Sequence, residues 1–91
     1  MPATVRAEVR IAGWVQGVGF RYYAAQRARS LGIAGWIRNE RDGTVAAAFE
    51  GPRDRVESMV EWCRRGPGHA RVDAIDVVWG DPEGALGFMV G

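Results

Sequence analysis

The chain has 91 residues, 47% hydrophobic and 25% charged, which suits a single folded domain over residues 1–91 and excludes a disordered chain. Twelve basic residues, all arginine, stand against eleven acidic ones for a net charge of +1, which lacks the basic footprint of a nucleic-acid binder and leaves no lysine for Schiff-base chemistry. No apolar run approaches the ~20 residues of a membrane helix, residues 1–10 lack the apolar stretch of a signal peptide, and the lone Cys63 cannot close an intramolecular disulfide, so the expected setting is the reducing cytoplasm.

Val5, Ala7, Val9 and Ile11 alternate with Thr4, Arg6, Glu8 and Arg10, the period of a strand with one dry face. Three glycines between Gly13 and Gly19 turn the chain. From Phe20 the period becomes helical: Phe20, Ala24, Ala28 and Leu31 fall within a stripe of about 80° at 100° per residue, and Gly32 stops it. Ile33 to Arg38 reads as a second strand. Asn39-Glu40-Arg41-Asp42-Gly43 is dense in turn formers, and Thr44 to Glu50 alternates again through Val45, Ala47 and Phe49, so the two runs make a hairpin. Gly51-Pro52 opens a second helix, with Pro52 in its first turn, Asp54 near its positive end, and Val56, Met59, Val60 and Cys63 on one face. Gly66-Pro67-Gly68 ends it. Val72 to Trp79 is a fourth strand, and Leu86 to Val90 a short fifth at an edge. There are no repeats, linkers or low-complexity tracts.

The order β-α-β-β-α-β implies an α+β, ferredoxin-like sandwich: an antiparallel sheet of order 4-1-3-2, two helices on one face, and the short fifth edge strand. In that topology strands 1 and 2 are parallel with one strand between them. The loops after them, one carrying the glycines and Arg21, the other Asn39, start only about 10 Å apart. They can share a site.

Gln16-Gly17-Val18-Gly19-Phe20-Arg21 crosses from a strand into a helix N-terminus, where unpaired N–H groups and a partial positive charge favour an anion. Arg21 adds a fork of donors suited to phosphate oxygens. A Walker loop is excluded because no Lys-Ser/Thr follows, and the dinucleotide fingerprint is excluded because Tyr22 stands where its third glycine falls. On the residues alone two readings remain open: an anion cradle, or a tight connection with a solvated arginine. Asn39 by itself reads as a turn residue.

The stretches GWVQGVGFR, Gly13 to Arg21, and GWIRNERDGTVAAAFEG, Gly35 to Gly51, resemble the two signature motifs of the acylphosphatases. Element order and length resemble that family over the whole chain. The resemblance implies hydrolysis of an acyl phosphate to a carboxylate and inorganic phosphate without a metal or other cofactor. It implies that Arg21 binds the phosphoryl group and Asn39 positions the attacking water. Backbone N–H groups of Val15, Gln16, Gly17, Val18, Gly19 and Phe20 would complete the phosphate cradle. Departures are small: Ile37 replaces a smaller residue usual in the family, and Trp14 fills a variable slot beside the cradle. The expected substrate is a small-molecule acyl phosphate, and the chain is expected to act as a monomer with no nucleic-acid or membrane partner.

Other residues read as structural. His69 has no partner at metal-ligand spacing, Cys63 lies on an apolar stripe, and Asp42-Gly43 is turn chemistry. Trp36 and Trp79 suit packing on a sheet face, and Trp62, at the rim of its helical stripe, suits half exposure. Gly17 to Tyr23 faintly resembles the aromatic motif of RNA-recognition domains, but that motif belongs on a third strand, and here it falls on a loop and helix. The acylphosphatase-like segment of hydrogenase-maturation carbamoyl-transfer proteins is a further alternative, one that opens a much longer chain.

Overall fold

Each run marked by its period becomes an element: β1 (Thr4–Trp14), α1 (Phe20–Ser30), β2 (Ala34–Asn39), β3 (Val45–Pro52), α2 (Arg53–Arg65), β4 (Arg71–Gly80) and β5 (Phe88–Val90). The structure is a computed structural model and describes residues 3–91. β1 passes Ile11 and continues to Trp14, because its ladder with β4 resumes after a register shift at Ala12/Gly13. Pro52 is not in the first helical turn. It ends β3 and caps α2 with φ −56° and ψ 140°, an extended geometry that suits a residue without an N–H.

The sheet order is β4-β1-β3-β2-β5, so the expected 4-1-3-2 arrangement holds. β3 is antiparallel to both β1 and β2. Ala7, Val9 and Ile11 of β1 sit opposite Phe49, Ala47 and Val45 of β3, and that face joins Ile37, Phe20, Ala24, Val56, Met59 and Cys63 in one buried cluster. Both helices pack there. The other face was expected to be wet, but β3 is buried on it too: Ala46 and Ala48 are covered by the longer side chains of Arg10, Trp36 and Arg38 on the flanking strands. Small residues on a central strand disappear beneath their neighbours.

β5 departs from the antiparallel expectation. It is parallel to β2, pairing Gly35 with Phe88 and Ile37 with Val90. β4 ends opposite Arg6 near the start of β1, at the sheet end where β2 begins. The chain crosses that end and must then run alongside β2. Leu86, expected in the strand, is 92% exposed before it, while Phe88 is buried and stacked on Phe49 at 5.9 Å between ring centroids.

The crossing is held by Glu50. Its carboxylate accepts N–H bonds from Glu83 at 3.0 Å, Gly84 at 3.2 Å and Ala85 at 3.0 Å, and a guanidinium bond from Arg6, its cross-strand partner, at 2.5 Å. Burial works to raise the Glu50 carboxyl, but the donors outweigh it and hold it below its ordinary value. A carboxylate lowered by folding contributes stability that is whole above its unfolded value, about 4.5, and is lost as pH falls through the folded one. Glu50→Gln should therefore be less stable than the parent by roughly 1–3 kcal/mol at pH 7. In urea melts that gap should narrow as the pH drops below about 4.5; a gap independent of pH would contradict this account.

Candidate functional site

Residues 15–19 form an irregular loop between β1 and α1. Val15 is buried and Val18 packs against the core, so the loop is anchored by alternate side chains while Gly17 and Gly19 stay exposed. Both glycines have left-handed backbone, φ 76° and 80°, which costs an L side chain roughly 1–2 kcal/mol. The N–H groups of Gln16 to Gly19 find no acceptor among the described residues. α1 then starts with no side-chain cap and no acidic residue in its first turn, whereas α2 carries Asp54 there. A row of free N–H groups leads into an uncapped helix end, a concave arrangement suited to an anion.

The hairpin loop after β2 is braced separately. Thr44 donates its N–H at 3.0 Å and its hydroxyl at 2.6 Å to Asp42 Oδ1, and accepts from Arg10 Nη1 at 3.0 Å. The hydroxyl bond, followed by the N–H bond, holds the Asp42 carboxyl below its ordinary value. Glu40 N–H donates to Thr44 O at 2.8 Å and closes the loop. Asn39 ends β2 just before it. Its Oδ1 is the only buried side-chain nitrogen or oxygen without a partner among the described residues. An enclosed acceptor without a donor costs about 1–3 kcal/mol, so the fold gains nothing from that oxygen where it stands.

Two contacts draw the loops together. Gln16 Nε2 donates to Glu40 O at 2.7 Å and to Thr44 O at 2.9 Å. Arg21 Nη1 donates to Gly91 O at 2.5 Å, and Gly91 N–H donates to Ile37 O at 2.8 Å, which places the guanidinium beside the last residues of β2. The glycine loop, Arg21 and the end of β2 meet at one edge of the sheet, as the topology implied.

The acylphosphatase family model matches residues 7–90. The chain belongs to the acylphosphatase family. It is 56% identical to an acylphosphatase from a Roseiflexus species, covering 93% of this chain and 92% of the relative, and 52% identical to one from Thermococcus kodakarensis, covering 94% of each. The crystal structure of acylphosphatase from Bacillus subtilis is 34% identical, with a TM-score of 0.92 over 96% of this chain and 98% of that one. The acylphosphatase activity is hydrolysis of an acyl phosphate, a mixed carboxylic–phosphoric anhydride, and this chain is a hydrolase of that class.

Of the other residues singled out in the sequence, Trp14 directly precedes the loop, while His69, Trp62 and Trp79 lie elsewhere in the fold. A groove of about 640 Å³ runs between the helices past Tyr23, Arg27, Trp62 and the exposed His69, and none of residues 15–20 or Asn39 lines it. Trp62 is half-buried, edge-on to Phe20. Trp79 lies under the Arg53 guanidinium and Trp36 under that of Arg38, each 4.5 Å from the ring centroid. Trp14 is 65% exposed. The Gln16 side chain and Thr44 were missed in the sequence. An amide donor within a glycine loop was the available signal, but nothing local names the carbonyls it meets. Cys63 is fully buried, and burial pushes its thiol up to about 12. A thiol reagent at pH 8 should therefore leave the folded enzyme unlabelled and label it stoichiometrically in guanidinium chloride; rapid labelling of the native protein would contradict the burial.

Proposed function

We propose that the loop of residues 15–20 and Arg21 hold the phosphoryl group of a small acyl phosphate, and that Asn39 orients the water that attacks it. The observation that carries this reading is the run of unpartnered N–H groups, Gln16 to Gly19, opening onto the uncapped start of α1, with Arg21 in its first turn. The N–H groups of Val15, Gln16, Gly17, Val18, Gly19 and Phe20 and the Arg21 guanidinium neutralise the phosphoryl oxygens, more strongly as charge builds in the transition state. Asn39 is not a base, since an amide does not titrate usefully. In this reading its carbonyl oxygen accepts from the water and its amino group donates. Water oxygen bonds to phosphorus as the bond from phosphorus to the acyl oxygen breaks. The carboxylate leaves without acid help, and the water proton passes to a phosphoryl oxygen.

No metal or other cofactor enters the scheme. Among the described residues no group of three His, Cys, Asp or Glu stands close enough to hold a metal ion. The same proposal takes residues 1–91 as one domain, working as a monomer in the cytoplasm on a small molecule, with no nucleic-acid or membrane partner. The near-neutral charge argues against a nucleic-acid partner, and no helix among the described residues is long and apolar enough to cross a membrane.

Kinetics separate the roles. Arg21→Gln should raise the inhibition constant for inorganic phosphate as well as lower kcat, because the guanidinium contacts the phosphoryl group before and during reaction. Asn39→Ala should lower kcat by about 10²–10³, or 3–4 kcal/mol, while phosphate inhibition stays within a few-fold of the parent. A well-folded Asn39→Ala with near-parental kcat would reduce Asn39 to a turn residue. Excess EDTA should leave acyl phosphate hydrolysis unchanged; loss restored by Mg²⁺ or Zn²⁺ would overturn the metal-free scheme.

A further inference from the structure

We propose that the side chain of Gln16 is a positioning residue that sets Asn39 against the phosphate cradle; the proposal rests on the roles given above to Asn39 and the loop. Gln16 has one amino group with two hydrogens, and both are used on the hairpin: Glu40 O at 2.7 Å and Thr44 O at 2.9 Å. Those carbonyls are the two ends of the hairpin loop, already joined by the Glu40 N–H bond to Thr44 O at 2.8 Å. One side chain therefore grips the loop at its neck. Among the described residues these are the only hydrogen bonds between residues 15–20 and residues 40–44.

Without the clamp the hairpin keeps its own shape. Asp42, Thr44 and Arg10 brace it from within and from β1, and none of those bonds involves the cradle. What is lost is the link between two bodies that carry different parts of the reaction. Asn39 is one peptide from Glu40, so its Cα lies about 3.8 Å from the Cα of the residue whose carbonyl Gln16 grips. A shift of the loop moves the Asn39 carboxamide relative to phosphorus, and a displacement near 1 Å can cost about a hundredfold in rate. The residue type follows from the chemistry: glutamate has the same reach and no donors, and asparagine has the donors and lacks the reach.

The test is a double-mutant cycle in kcat with acetyl phosphate as substrate, alongside competitive inhibition by inorganic phosphate and a thermal melt. Gln16→Met keeps volume and removes the donors. It should lower kcat by about 10- to 100-fold and leave the phosphate inhibition constant within about threefold. In the Asn39→Ala background the same change should lower kcat by less than about twofold, because Gln16 acts through Asn39. Gln16→Asn should repeat the pattern, and serves for the cycle if Gln16→Met does not melt cooperatively. Losses that multiply across the cycle, a phosphate affinity that falls as far as kcat, or a lowered Tm with unchanged kcat would each overturn the clamp. Those outcomes leave the roles of Arg21 and Asn39 standing, whereas a near-parental kcat in Asn39→Ala alone removes the role of Asn39 and the clamp with it.

Discussion

β3 pairs antiparallel with β1 on one side and β2 on the other, and the site depends on that double pairing. Two strands antiparallel to a common neighbour are parallel to each other, so the loops that leave β1 and β2 emerge at one end of the sheet. One intervening strand sets their spacing near 10 Å. The right-handed crossover through α1 then points a helix N-terminus at the same edge. The loop, the helix end and the end of β2 therefore converge on one place from different sides.

The far end of the sheet is organised by a charge. Glu50 is buried on the face away from the helices, and Arg6 and three backbone N–H groups satisfy it. A buried carboxylate is costly unless its lone pairs are filled, and these donors fill them. Its partners include residues 83–85, so the same group that pairs with Arg6 across the β1–β3 ladder also holds the crossing that leads into β5. β5 then reaches back along β2, held by Arg29 Nη2 to Phe88 O at 3.0 Å, and ends at Val90, after which Gly91 O accepts from Arg21. The Glu50 junction and the edge where the loops meet are joined by one short strand.

Much of this was legible in the order of residues. Alternation at Val5 to Ile11 marked β1, the 3.6 period at Phe20 to Ala28 marked α1, and the stripe of Val56, Met59, Val60 and Cys63 marked α2 with its buried face. Those patterns are local, because a side chain's direction follows its position in a strand or helix. Arg21 and Asn39 were named from motif and topology, and the structure brings both to the edge where the loops meet. Pro52 departs from the local reading, ending β3 rather than standing in the first turn of α2. The other departures involve partners distant in the chain: the alternation of β3 gives no sign that Ala46 and Ala48 are buried beneath the side chains of neighbouring strands. Leu86 is apolar enough for a strand, yet Gly87 O accepts from Gly35 N–H at 2.9 Å and the pairing begins after it.

By itself, the sequence determined the period of each element, the turns between them, the faces the helices bury and the two motifs that identify the family. These follow from backbone geometry and from residue types a few positions apart. Only the tertiary structure decided that β5 runs parallel to β2, that Glu50 holds residues 83–85, and that Gln16 grips Glu40 and Thr44. Each of these is a choice among acceptors or strands far along the chain, and no local pattern distinguishes one backbone carbonyl from another. The choice is made when the sheet closes and each buried donor must take the partner that lies within its reach.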